Sequence, residues 1–357
     1  MRILILKPSS LGDVATAMPM FCDLHAARPD AQIDWLIAPG LAALLRGHPA
    51  IHELIPFDRK KLGRWYTPGG IRALFKLLRT LRAAKYDIVI DAQGLLRSGL
   101  LTRITSAPIR IGFAHAREGA AGAYTHKVTL PEDGKLMLAV DRMRTLLGPL
   151  NISPSQSVVA GIPVHSDLLA RLFAQFPETT GRPGLPPQSY VVLIPGARWD
   201  TKRWSIDGFT EIARRLLAQG DTVVLLGSPD ESRLCDQIEK QLAQDTSLRT
   251  PHASLTNLAG RTTLAEMIAV LASARLVIGN DSGPLHVAVA LGRPIVAAYG
   301  PTDPAFVGPA GQLDHVVRFD VPCFPCRNKI CGHHSCMRGV TVEMMWEKTK
   351  IAATPRS

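Results

Sequence analysis

The sequence predicts an α/β protein of two Rossmann-like domains facing each other across a cleft. Three observations predict it. Short apolar runs rich in β-branched residues alternate with helical stretches in both halves of the chain, the pattern of a parallel sheet wound with helices. A proline-rich stretch separates the halves. Polar, glycine-bearing turns follow several strands, where a parallel sheet opens its carboxyl edge to ligands. A length of 357 residues suits two domains.

In order, Arg2 to Leu6 reads as a buried strand and Val14 to Arg28 as a helix. A second strand spans Ile33 to Ile37, a basic helix Ile71 to Ala84, and further strands Tyr86 to Asp91 and Ile109 to Phe113. Between Asn151 and Gln188 come Pro154, Pro163, Pro177, Pro183, Pro186 and Pro187, with one helix at Asp167 to Phe176. That stretch contains the linker. The alternation then resumes: strand Tyr190 to Ile194, helix Ile206 to Gln219, strand Thr222 to Leu226, helix Glu231 to Gln244 and helix Leu264 to Ala272. Strand Ala274 to Ile278, a helix from Pro284 and strand Ile295 to Tyr299 complete it. The domains are placed at 1–165 and 166–340, with 341–357 a C-terminal segment packing back on the N-terminal domain.

Hydrophobic residues make up 46% and charged residues 20% of the chain, enough to fill two cores. The formal net charge of +11 suits a phosphorylated substrate, an anionic membrane face or a nucleic acid. The N-terminal apolar run is too short for a signal peptide. No window reaches the roughly 18 apolar residues of a membrane span. The expected location is cytoplasmic, with any membrane contact peripheral. Six cysteines in such a setting do not make disulfides the default.

The densest polar cluster is Asn280-Asp281-Ser282-Gly283-Pro284-Leu285-His286. A strand breaks there into a tight turn and a helix, which presents backbone N–H groups and a positive helix end to a phosphate. An ordinary connection capped by Ser282 is the alternative. After the first strand comes Lys7-Pro8-Ser9-Ser10-Leu11-Gly12-Asp13, which lacks G-x-G-x-x-G. Asp13 is either an N-cap or a carboxylate facing the cleft. Gly196 to Trp204 holds Arg198, Lys202 and Arg203 with Trp199 and Trp204, an anion site or a solvated basic loop. In Gly227-Ser228-Pro229-Asp230-Glu231, an acid either binds ribose or caps a helix. Lys60, Lys61 and Arg64, with Trp65 and Tyr66, either grip an acidic acceptor or are solvated. Cys323, Cys326, Cys331 and Cys336, with His333 and His334, have the ligand types of a structural zinc site. A reduced or redox-labile cluster and disulfides stay open beside it.

Together these segments resemble the bacterial ADP-heptose:lipopolysaccharide heptosyltransferases over nearly the whole chain. Lys7 to Asp13, Tyr86 to Gly94 and Ala116-Arg117-Glu118 are similar to the first-heptose enzyme. Lys202-Arg203-Trp204, Leu226 to Ser228, Asn257 to Gly260 and Asp281 to His286 are similar to the donor half of the family. The resemblance implies a GT-B fold and an inverting transfer that requires no metal or other cofactor. It makes Asp13 the general base and Lys202 a donor-phosphate contact, with Asp230 or Glu231 on the ribose. Asp281 would contact the heptose, with Ser282, Gly283 and His286 near the diphosphate. Lys60, Lys61, Arg64 and Arg117 would hold the acceptor. The implied partners are ADP-heptose and a Kdo-lipid A (3-deoxy-octulosonic acid on lipid A) or heptosylated inner-core acceptor, at the cytoplasmic face of an anionic inner membrane. The cysteine cluster departs from the best-known first-heptose enzymes.

Three rivals have different signatures. An NAD-dependent oxidoreductase needs the missing glycine fingerprint. A nucleic-acid-binding protein needs one continuous basic face, whereas the cations here sit in strand-end loops, so no nucleic-acid partner is expected. A transferase of the same fold using another nucleotide sugar differs only in its donor.

Overall fold

A computed structural model describes residues 1–64, 66–131, 137–175, 189–245 and 254–353. Trp65, Phe176 and much of the expected linker lie outside the described residues. The chain forms two compact units, Met1–Pro163 and Val164–Ser357.

The first unit holds β1 (Arg2–Leu6), β2 (Gln32–Ile37), β3 (Ile51–Pro56), β4 (Ile88–Asp91), β5 (Ile109–Phe113) and β6 (His126–Val128), in the order β3-β2-β1-β4-β5-β6. The second holds β7 (Tyr190–Ile194), β8 (Thr222–Leu225), β9 (Leu255–Asn257), β10 (Leu276–Asn280), β11 (Ile295–Tyr299) and β12 (Val316–Arg318), in the order β12-β11-β10-β7-β8-β9. All the pairings are parallel. Both sheets have the Rossmann order, with a switch point between β1 and β4 and between β7 and β10.

The apolar runs foresaw β1, β2, β4, β5, β7, β8, β10 and β11. They did not foresee β3, β6, β9 and β12, which are the outer strands of the two sheets. Outer strands need no apolar run, because one side faces no neighbour. His126-Lys127-Val128 is exposed to half-buried, and β3 mixes polar His52 and Glu53 with apolar residues, of which only Ile55 is buried. The inner strands are buried on both faces.

Helix starts follow local capping chemistry. Ser205 Oγ accepts from Gly208 N at 3.1 Å and opens helix Ile206–Ala218. Thr263 and Glu266 form a reciprocal capping box before Leu264–Ala272. Helix Val342–Ala353 belongs to the second unit, where Met345 and Ala352 join the core containing Phe209, Leu216 and Ala298. Within that unit the helix gives its apolar residues an adjacent core. Among the described residues no helix is long and apolar enough to cross a membrane.

Candidate functional site

In the second unit, β7 and β10 run side by side up to Ile194 and Gly279. One residue on, the buried Asn280 fastens the two strand ends. Its Nδ2 donates to Pro195 O at 2.8 Å, and its Oδ1 accepts from Trp204 N at 3.0 Å. The loop from Pro195 to Trp204 is thereby held over the switch point. Trp204 is buried and donates from Nε1 to Val340 O at 2.8 Å, so it anchors this loop in the core.

The three loop cations separate into different roles. Arg203 turns back, with Nε on Ala197 O at 2.9 Å and Nη1 on Asp200 Oδ1 at 2.5 Å. Arg198 is exposed. Lys202 points to the strand ends, with Nζ 2.5 Å from Asp281 Oδ2 and 4.7 Å from the centre of the Trp199 ring. Lys329 Nζ lies 5.2 Å from the same ring. Half-buried Trp199 is thus a platform for two ammonium groups.

Asp281 is the hub. Its Oδ2 also accepts from Thr302 Oγ1 at 2.5 Å, and His286 Nε2 lies 3.4 Å from its Oδ1. Burial opposes its ionisation, but the His286 hydrogen bond and the Lys202 charge together hold the carboxyl well below the usual carboxylate range. Ser282 caps helix Gly283–Ala290, and its buried Oγ has no hydrogen-bond partner among the described residues. An ammonium, a helix N-terminus and an unpartnered hydroxyl together make a site for a phosphate.

Of Asp230 and Glu231, the structure turns Glu231 toward the switch point. Its Oε2 accepts from Ser228 N at 2.9 Å and Ser228 Oγ at 2.8 Å. A Cβ added to Gly196 would lie 2.3 Å from the Glu231 carboxyl carbon, so glycine is what lets the acid reach the loop after β7. Asp230 is exposed. Asn257 to Gly260 stands next to this acid. Gly260 has φ +71°, and its N donates to Gly227 O at 2.9 Å.

At the first unit's switch point, Asp13 is not an N-cap. Ser10 is the N-cap of helix Leu11–Ala27, and exposed Asp13 reaches back so that its Oδ2 accepts from Ser10 N at 2.9 Å and Ser10 Oγ at 2.6 Å. Sequence reading missed its neighbours. Buried Lys7 donates from Nζ to Ala92 O at 3.1 Å; desolvation lowers its pKa, against the attraction of Asp13 and Asp91. Asp91 is fully buried, accepting from Gln93 N, Gly94 N and Tyr124 OH at 2.9, 3.0 and 2.7 Å. Burial raises its pKa against those bonds. A polar residue at each end of an apolar run, Lys7 after β1 and Asp91 closing β4, was the signal available. Arg117 is exposed, and its backbone N donates to Gly94 O at 3.0 Å, which brings the Ala116 to Glu118 loop to the same turn. Lys60 and Lys61 lie on the exposed helix Arg59–Leu62 beside Arg64. Lys61 also lines a cavity of about 400 Å³ with Glu53, Asp58 and Lys76.

The four C-terminal cysteines are free thiols, Cys336 buried, Cys326 and Cys331 half-buried and Cys323 exposed. Their segment braces the Lys202 loop, because Thr201 Oγ1 donates to Asn328 O at 2.8 Å, and it is tied to the turn after β11 by Arg327 N on Pro301 O at 2.9 Å. Among the described residues, the one group of three His, Cys, Asp or Glu ligand atoms mutually within 4.8 Å is Asp34, His52 and Glu53. Asp34 there is already engaged by Arg2, His52 and Tyr86. The cysteine sulfurs would have to draw together to hold an ion.

The family model for glycosyltransferase family 9 (heptosyltransferase) matches residues 74–336. Lipopolysaccharide heptosyltransferase 1 of Pseudomonas aeruginosa is 33% identical, covering 93% of this chain and 88% of the relative. Lipopolysaccharide heptosyltransferase 2 of Escherichia coli K12 is 28% identical, covering 100% and 96%. Among solved structures, the E. coli heptosyltransferase WaaC with ADP superposes with a TM-score of 0.76 at 25% identity, covering 99% of this chain and 100% of that one. The architecture of two parallel six-stranded sheets is that of the GT-B heptosyltransferases.

Proposed function

The chain belongs to glycosyltransferase family 9, the heptosyltransferases, and on that premise we propose that it transfers L-glycero-D-manno-heptose from ADP-heptose to the Kdo-containing inner core of lipopolysaccharide. The observation that carries this reading is the Lys202–Asp281–His286 hub at the head of helix Gly283–Ala290. Asp281 pre-orients Lys202 and His286, and the hydroxyl of Ser282 and the N–H of Gly283 complete a diphosphate site. Glu231 receives the ribose hydroxyls.

Asp13 acts as general base. It takes the proton of an acceptor hydroxyl, whose oxygen forms a bond to the anomeric carbon as the bond to the β-phosphate oxygen breaks. ADP leaves from the opposite face, so the configuration inverts. Lys202 and the helix N–H groups meet the charge on the leaving diphosphate, the task a metal ion performs in other enzymes. A positioned base contributes about 10²–10⁴-fold. Lys60, Lys61, Arg64 and Arg117 hold the acidic acceptor. The reaction takes place at the cytoplasmic face of the inner membrane, and zinc on the four cysteines would be structural only.

The test is ADP release with detergent-dispersed Kdo-lipid A and, in separate reactions, ADP-heptose, UDP-sugars and GDP-sugars. Release is expected from ADP-heptose alone, and only when the acceptor is present. Turnover of a UDP- or GDP-sugar, or none with ADP-heptose, overturns the assignment.

A further inference from the structure

Helices Pro68–Ala83 and Leu96–Ile104 pack side by side on one face of the first sheet. Their inward residues Leu77, Leu81 and Leu101 share a core cluster with Leu4, Leu6 and Val89. Their outward residues are unusual for a surface that meets only water. Ile71 and Phe75, four apart on the first helix, are 43% and 68% exposed. Leu96 and Leu100, four apart on the second, are 45% and 53% exposed. Around them stand the exposed cations Arg72, Lys76, Arg79, Arg97 and Arg103, none in an ion pair among the described residues. No acidic residue occurs between Asp58 and Asp87, or between Asp91 and Glu118.

We propose that this two-helix face docks on the surface of an anionic lipid bilayer. Cations without acidic partners are drawn to a negative headgroup layer, and the aliphatic and aromatic side chains enter the acyl boundary. The cations therefore extend beyond strand-end loops onto the basic helix read from the sequence and the helix packed beside it. Four large apolar side chains among them separate this face from a nucleic-acid groove, where cations and polar groups dominate. The inference deepens the proposed function, since it supplies the surface that meets a lipid-linked acceptor, and it rests on that reading only for its biological purpose.

The experiment is co-sedimentation of the full chain with phosphatidylcholine vesicles, with and without phosphatidylglycerol, at physiological salt. Binding is expected only with phosphatidylglycerol. Phe75→Ser is expected to weaken it about tenfold, and Arg79→Ala or Arg103→Ala about fivefold each. Unchanged melting temperatures would show that these exposed positions leave the fold intact, and transfer to a detergent-dispersed acceptor should stay at the wild-type level. Equal binding to neutral vesicles, no vesicle binding, wild-type binding by all three variants, or displacement from vesicles by duplex DNA at stoichiometric amounts would overturn the proposal. Failure of transfer alongside normal vesicle binding would remove the enzymatic reading and leave the docking face standing.

Discussion

Lys202 Nζ and Asp281 Oδ2 meet at 2.5 Å across the carboxyl ends of the two central strands of the second sheet. Asp281 is buried and Lys202 mostly so, with side-chain exposures of 5% and 16%. The pair ties the loop after β7 to the turn after β10 through side chains of this unit.

Asp281→Asn removes the carboxylate and leaves a mostly buried ammonium unpaired. The expected loss is on the order of 3 kcal/mol at neutral pH. The folded carboxyl lies below its ordinary value, so its contribution is full above the unfolded pKa of about 3.9 and fades as pH falls toward the folded value. Urea denaturation at pH 7 and again near the acid limit checks this. Equal midpoints for variant and parent at pH 7 would show that the pair adds nothing.

Gly196→Ala tests the contact with Glu231. The new methyl falls within van der Waals radii of the carboxyl group and must displace it. Adenosine nucleotide affinity, measured by calorimetry, is expected to fall about tenfold, the loss of one charge-assisted hydrogen bond. Adding Glu231→Ala should restore any lost stability without restoring affinity. Full affinity in the single variant would place the nucleoside elsewhere.

Asp13→Asn keeps an oxygen that can accept from Ser10 N, so helix Leu11–Ala27 should retain its cap. Turnover is expected to drop about 10²–10⁴-fold while ADP-heptose affinity is nearly unchanged. Retained turnover would rule out Asp13 as the base.

The cysteine segment makes a prediction about metal. Protein purified under reducing conditions should release about one zinc per chain when its thiols are blocked with a mercurial, read with a colorimetric chelator. Cys331→Ser should lower that content and loosen the brace between Thr201 and Asn328. Protein free of zinc before and after zinc addition would leave the segment as a set of reduced thiols.

Much of this molecule is written locally. Inner strands such as Tyr190–Ile194 are buried on both faces, so their residues must be apolar in sequence, and the turns that follow them must carry the polar groups. That is why the two wound sheets were legible, and why polar turns such as Asp281 to His286 stood out after the strands they follow. The outer strands β3, β6, β9 and β12 were not, because an edge position imposes no such composition. Nor could spacing reveal that Asn280 fastens two strand ends, that Thr302 shares Asp281 with Lys202, or that Lys7 and Asp91 are buried at one switch point. Those contacts join residues 21 to 85 positions apart. Only the parallel stacking of distant strands brings them within hydrogen-bond reach, and only there does low polarity give a paired charge its strength.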